Sequence, residues 1–164
     1  MLQIFQEKKE SMIQIDIPQR GVLALEHAVF DINGTLAVDG NVIEGVAERL
    51  RTLGELLTIH ALTAGSHGNL EEIERRLGIP LRRITTGEEK YQFVQQLGPA
   101  KVVAIGNGMN DVGMLRVAAL GIAVLADEGV ATMTCQAADV LALGPLAAID
   151  LLLQPKRLIA TLRR

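Results

Sequence analysis

Asp31 has the setting of a nucleophile: it ends an apolar strand in Val29-Phe30-Asp31-Ile32-Asn33-Gly34-Thr35-Leu36, and the chain turns at once through Asn-Gly. Open α/β sheets hold ligands at strand ends facing a loop, and a carboxylate there can attack phosphorus to give an aspartyl phosphate. The same run also suits an Asx-turn, in which Asp31 bonds only backbone and Asn33-Gly34 supplies positive φ. Three later positions bear on the choice. Thr63 closes the apolar run Leu56 to Leu62, Lys90 sits in an acidic, helix-like segment after Gly87, and Gly106-Asn107-Gly108-Met109-Asn110-Asp111 follows the strand-like Lys101 to Ile105. Each has a plain structural reading as well: a ladder or capping hydroxyl, a solvated helix lysine, and a turn that starts a helix.

Their order says more than any one of them. An Asp, then a hydroxyl, then a lysine, then a glycine-rich acidic turn is the motif sequence of the haloacid dehalogenase-like superfamily, and the chain resembles it from about Ala28 to Leu143. Within that superfamily it looks most like small soluble, capless proteins related to the phosphorylation domain of P-type ATPases. The residues that carry this are the turn from Gly106 to Asp111, Met114-Leu115, Ala118 to Val124, and Ala137-Ala138-Asp139-Val140. By that resemblance Asp31 is the nucleophile, with Asn33, Thr63 and Lys90 as its catalytic company. Thr63 would hydrogen-bond the phosphoryl oxygens, and Lys90 would neutralise developing charge. The substrate would meet Gly34, Thr35, Thr63, Ala64, Gly65, Lys90 and Asn110, and Mg2+ would be held around Asp31, Asn33, Asn107 and Asp111. The implied activity is Mg2+-dependent phosphoryl hydrolysis or transfer, on a small phosphorylated substrate or ATP. Physical logic agrees, because phosphoryl transfer needs an in-line oxygen, cations against the equatorial oxygens and donors fixed in place.

Two positions depart from the family pattern, and in both an Asn stands where Asp is usual. At position 33 relatives use the Asp to protonate the leaving group and then to activate water. An amide can do neither, and general acid–base catalysis is worth about 10²–10⁴-fold, so hydrolysis of a phospho-Asp31 should be slow. Sugar alkoxides should suffer most; nucleoside triphosphates, acyl phosphates and aryl phosphates least. At Asn107 an amide oxygen can still ligate Mg2+, but one negative charge is missing, so binding should be weak until phosphate arrives. Both residues precede glycine, so deamidation in aged protein could create an Asp at either place. A phosphate-binding or regulatory protein that has lost turnover is the rival reading, and Asn33 and Asn107 argue for it. A receiver-like phosphoacceptor is disfavoured because its acidic pair precedes the acceptor Asp, whereas Asp111 follows Lys90.

These residues have to be positioned by alternating strands and helices. Ile13 to Ile17 alternates apolar and polar, Pro18 to Gly21 breaks the pattern, and Val22 to Leu25 resumes it, which predicts a β-hairpin. Strands are expected over Ala28–Ile32, Leu56–Leu62, Pro80–Ile84, Val102–Ile105, Gly121–Leu125 and Val140–Leu143. Helices are expected over Glu44–Leu53, Asn69–Leu77, Gly87–Leu97, Asn110–Ala119, Val130–Ala137 and from Leu146, with Pro155 kinking the last. Nearly continuous Val, Ile, Leu and Ala in strands that alternate with helices indicate a doubly wound α/β fold with a mainly parallel, Rossmann-like sheet covered on both faces. Little more than one strand–helix unit separates Asp31 from Thr63 or Thr63 from Lys90, so no cap domain fits between them. The site is therefore expected to be open, which leaves a homo-oligomer or a macromolecular partner to cover it.

Composition narrows the class. The 164 residues are 49% hydrophobic, with three phenylalanines, one tyrosine and no tryptophan, so the core must be aliphatic. A net charge of −3, with no Lys/Arg-rich face beyond short pairs such as Arg75-Arg76, Arg82-Arg83 and Arg163-Arg164, argues against nucleic-acid binding. No run reaches the roughly 18–20 apolar residues of a membrane span. The single Cys135, expected as a buried filler, and the lack of an apolar leader point to a reducing cytoplasm. Residues 1–11 are expected to be a flexible extension, with residues 12–164 one domain. His60 is expected in the core, Tyr91 packed upon it, and His67 in a loop near the mouth of the site.

Overall fold

The computed structural model describes residues 11–65 and 69–164. An antiparallel hairpin, β1 (Ile13–Ile17) and β2 (Gly21–Leu25), leads into β3 (His27–Asp31). A two-residue flap pair, β4 (Ala37–Val38) and β5 (Asn41–Val42), and helix α1 (Val46–Leu53) follow. Then come β6 (Thr58–Thr63), α2 (Leu70–Leu77), β7 (Leu81–Arg83), α3 (Gly87–Leu97) and β8 (Val102–Gly106). The chain continues through α4 (Val112–Val117), β9 (Leu120–Leu125), α5 (Thr132–Ala137), β10 (Val140–Leu143), α6 (Gly144–Leu153) and α7 (Pro155–Leu162).

The main sheet has the order β10-β9-β8-β3-β6-β7, and every pairing in it is parallel. Parallel strands need crossovers, and here the helices supply them on both faces. Alternation along β3 divides its side chains between the two cores. Ala28 and Phe30 join the cluster formed with α1, α2, α6 and the hairpin, whereas Val29 joins the cluster under α3 and α4. Asp31 continues the Val29 register, so it faces α3. With β3 between β8 and β6, the carboxyl ends carrying Asp31, Thr63 and Gly106 are neighbours at one edge of the sheet. Only the flap and α1 lie between β3 and β6, so no cap domain is inserted there.

The expected elements form, with shifts at their ends. Helix α1 starts at Val46 instead of Glu44, because Gly45 has φ +85° and closes the helix off from the flap. Strand β6 begins at Thr58, since Leu56 and Leu57 both donate to the Leu53 carbonyl as the preceding helix unwinds. The segment from Asn110 is not α-helical at its start. Met109–Asp111 forms a 3₁₀ turn and α4 ends at Val117, because the Asp111 carboxylate takes the N–H groups of Asn107 and Gly108 and tightens the entry. Helix α5 starts at Thr132, after Ala131 has donated to the Asn107 carbonyl. Pro155 does split the last helical segment, into α6 and α7.

Cys135 is half-buried, not a core filler, and Tyr91 is half-buried with its hydroxyl accepting from Gln95. His60 is also half-buried, with Nε2 3.2 Å from Nδ1 of His27. The proposed extension at residues 1–11 lies, except for Ser11, outside the described residues, and so does His67. No helix among the described residues is long and apolar enough to cross a membrane.

Candidate active site

Lys90 is the centre of the site. Its ammonium lies 2.6 Å from Asp31 Oδ1 and 2.7 Å from Asp111 Oδ1, with no solvent exposure at Lys90 or Asp111 and 5% at Asp31. A lysine on an acidic helix would ordinarily be solvated. Here α3 is anchored by a capping box: Thr86 Oγ1 accepts from the Glu89 N–H, and the Glu89 carboxylate accepts from the N–H groups of Thr86 and Thr85. That anchor points the helix's fourth residue at the end of β3.

Asp111 is fixed from the other side. Its Oδ2 accepts from the N–H groups of Asn107, at 3.0 Å, and Gly108, at 2.9 Å, so both of its oxygens are engaged. Gly106 makes room for this: a Cβ there would stand 2.5 Å from Asp111 Cγ. Thr134 ties the turn to α5 through a 2.7 Å bond from its hydroxyl to the Gly108 carbonyl.

Two carboxylates around one ammonium leave a negative charge in excess, in a dry place. Burial and the neighbouring Asp111 raise the Asp31 carboxyl to about 7, against the opposing pull of Lys90. Burial alone would lower the Lys90 ammonium, but the two carboxylates outweigh it and raise it above the ordinary lysine range.

The other expected residues gather at the same edge. Thr63 is fully buried, and its Oγ1 accepts from the Gly65 N–H at 3.0 Å and faces Asn33 Nδ2 at 3.5 Å. With donors on that oxygen, its own hydrogen remains for a ligand oxygen. Thr35 Oγ1 lies 3.5 Å from Asp31 Oδ2 and 3.3 Å from Asn107 Oδ1. Gly34, at φ +79°, lets the loop pass close to the Asn107 side chain, since a Cβ there would collide with that amide. Ala64 and Asn110 are exposed beside the site and have no hydrogen bond to the Asp31–Lys90–Asp111 group; Gly65 bonds Thr63, which faces Asn33 and not that group.

One residue escaped sequence reasoning. Glu128, in the turn after β9, sends Oε1 to the Asp39 N–H of the flap at 3.1 Å, and its Oε2 would lie 2.6 Å from a Cβ on Gly34. The available signal was topological: the loop after each parallel strand leaves from the same edge of the sheet. Glu128 had no motif spacing to mark it.

Hard oxygen donors therefore collect between β3 and the Gly106 turn, with Asp31 Oδ2 and Asn107 Oδ1 both facing Thr35. Among the described residues no three His, Cys, Asp or Glu side chains form a cage that could hold a metal. That donor set suits a cation that keeps most of its water and takes one or two carboxylates plus substrate oxygens, as Mg2+ does.

The model of the haloacid dehalogenase-like hydrolase family matches residues 86–133, the stretch holding the α3 cap, Lys90 and the turn to Asp111. The chain belongs to the haloacid dehalogenase-like superfamily. An uncharacterised protein of Methanocaldococcus jannaschii is 46% identical over 63 residues, which span 38% of this chain and 68% of that one. Among solved structures, the cobalt-bound deoxy-D-mannose-octulosonate 8-phosphate phosphatase of Haemophilus influenzae is similar with a TM-score of 0.64 at 15% identity, over 81% of this chain and 90% of that one. The corresponding phosphatase of Moraxella catarrhalis, solved with magnesium, phosphate and the sugar acid, has a TM-score of 0.58 at 18% identity, over 85% and 87% of the two chains. At these identities the superfamily fold is what is shared.

Proposed function

We propose that this superfamily member is a Mg2+-dependent phosphohydrolase or phosphotransferase that works through an aspartyl phosphate on Asp31, and that it favours activated phosphates. The observation that carries the reading is the buried Lys90 ammonium bridging Asp31 and Asp111 at the carboxyl end of the central strand. Asp31 attacks phosphorus, forming a carboxylate–phosphorus bond as the bond to the leaving oxygen breaks; water then cleaves the acyl phosphate and regenerates Asp31. Lys90 has a third N–H, beyond the two given to carboxylates, for a phosphoryl oxygen, and the Thr63 hydroxyl offers another donor. Mg2+ would be held by Asp31, the Asn33 carbonyl and Asn107, with Asp111 fixing the turn that presents them, and would offset phosphoryl charge.

Leaving-group preference follows from Asn33. The similar phosphatases act on a sugar phosphate, whose alkoxide needs a proton to depart. Asn33 directs an amide at Thr63 and has no proton to give. Acyl phosphates, aryl phosphates and ATP leave without one, and a slowly hydrolysed phosphoenzyme is the expected result. On its single free cysteine and open site we place the protein in a reducing cytoplasm, acting on a small phosphorylated molecule.

Turnover of acetyl phosphate, an aryl phosphate, ATP and sugar phosphates with Mg2+ tests this, alongside mass spectrometry of the Asp31 peptide. Expected are a phosphoryl adduct on that peptide, turnover of the activated substrates first, and loss of both in Asp31→Asn. Phosphate binding without adduct or turnover would favour the regulatory reading instead.

A further inference from the structure

We propose that Glu128 is a cation-side residue of the site, supplying from the loop after β9 the negative charge that Asn107 lacks. This rests on the reading that the pocket takes a divalent cation. Three observations carry it. Gly34 leaves a gap in the loop after Asp31, and two side chains from different elements enter that gap: the Asn107 amide and the Glu128 carboxylate, whose Oε2 would stand 2.6 Å from a Cβ on Gly34. The Asn107 amide is held in place, with Nδ2 donating to the Gly129 carbonyl at 3.2 Å and Oδ1 turned toward Thr35 at 3.3 Å, but it brings no charge to the site. The Glu128 carboxylate is oriented by a bond from the Asp39 N–H to Oε1, and among the described residues no donor is hydrogen-bonded to Oε2.

The charge count gives the physical reason. Lys90 answers one of the two buried carboxylates and Asp111 has both oxygens engaged, so of that pair it is Asp31 that keeps an oxygen for the cation side. A cation that keeps its waters is held also by the carboxylates those waters bond, and removing such an outer partner costs about 10–100-fold in metal affinity. Glu128 stands beside Asn107 as that partner. Its bond to Asp39 links the same carboxylate to the flap, so cation binding and flap position are joined at one side chain. Glu128 acts on the cation through its position and charge; it is a positioning residue.

Binding of Mn2+ and Mg2+ is measured by calorimetry, and Mn2+ also by electron paramagnetic resonance, each with and without inorganic phosphate. The proteins compared are the parent, Glu128→Gln, Asp127→Asn, Asn107→Asp, and Asn107→Asp combined with Glu128→Gln. The expected result is about tenfold weaker cation binding in Glu128→Gln, parent-like binding in Asp127→Asn, and restoration of affinity when Asn107→Asp is added to Glu128→Gln. Asp127 is the control, an exposed carboxylate one residue away that shares the loop's general charge. Parent-like affinity in Glu128→Gln, or an equal loss in Asp127→Asn, overturns the assignment while leaving the phosphoryl-transfer reading standing. A parent that binds neither cation, even with phosphate, overturns both. Thermal melting of every variant without metal separates a folding defect from a binding one, and the Asn107→Asp rescue does so again.

Discussion

At the scale of single residues, Asn33 and Lys90 lead to opposite kinds of experiment. Asn33 stands at the half-buried mouth of the site, so its substitution should change chemistry and leave the fold alone. Asn33→Asp is expected to speed dephosphorylation of Asp31 by a factor within the 10²–10⁴ range of acid–base catalysis, read from single-turnover decay of the labelled phosphoenzyme. An unchanged decay rate would show that the amide is not what limits hydrolysis. Lys90 is fully buried between two carboxylates, so removing it strands charge in a dry place. Lys90→Met is expected to cost about 3–5 kcal/mol of stability at neutral pH. The loss should shrink in acid, because Asp31, already pushed up to about 7 with the lysine present, takes a proton more readily without it. Urea denaturation at neutral and acidic pH measures both effects.

At the scale of elements, the site depends on one helix start. The Thr86–Glu89 capping box fixes where α3 begins, and Lys90 lies within its first turns. Thr86→Ala should cost about 1 kcal/mol of stability, as lost caps do. It should also weaken phosphate binding, because the ammonium moves with the helix. Thr86→Ser keeps the cap and should restore both. Calorimetric phosphate binding beside thermal melting distinguishes this from an ordinary surface cap, whose loss would lower stability alone. The flap is the second element in play, tied to the loop after β9 by the Asp39–Glu128 bond and set off by the positive φ of Asp39.

At the scale of the whole molecule, the sheet that orders the site also carries a titratable pair. His27 on β3 and His60 on β6 lie 3.2 Å apart, and His60 meets Phe93 edge-on while Arg82 sits over that same ring. Burial, then His27 and Arg82, lowers His60 to about 4; burial lowers His27 too, against Glu26. A histidine lowered on folding takes up a proton on unfolding, so its contribution is intact above pH 6.5 and falls away as pH drops toward about 4. Asp31, raised on folding, acts with the opposite sign across much of that window. The histidine contribution is therefore the difference between the parent and His60→Gln. The parent should lose more stability than the variant between pH 7 and pH 5, by denaturant midpoint, and parallel losses would refute the assignment.

Much of this was readable in one dimension. Strands announce themselves by continuous aliphatic runs, and a parallel sheet brings every strand's carboxyl end to one edge, so Asp31, Thr63 and the Gly106 turn had to be neighbours once the βα alternation was recognised. Lys90 was legible only through the motif order shared with the superfamily; the Thr86–Glu89 cap that aims it at Asp31 came from the structure. Element ends were less so: Gly45 and the Asp111 carboxylate moved two helix starts through hydrogen bonds and a backbone angle that no periodicity records. Glu128, the His27–His60 pair and the ionisation of Asp31 were decided by tertiary structure alone. Each depends on the distance between side chains on different elements, and on how little water reaches them; residue type and order determine neither.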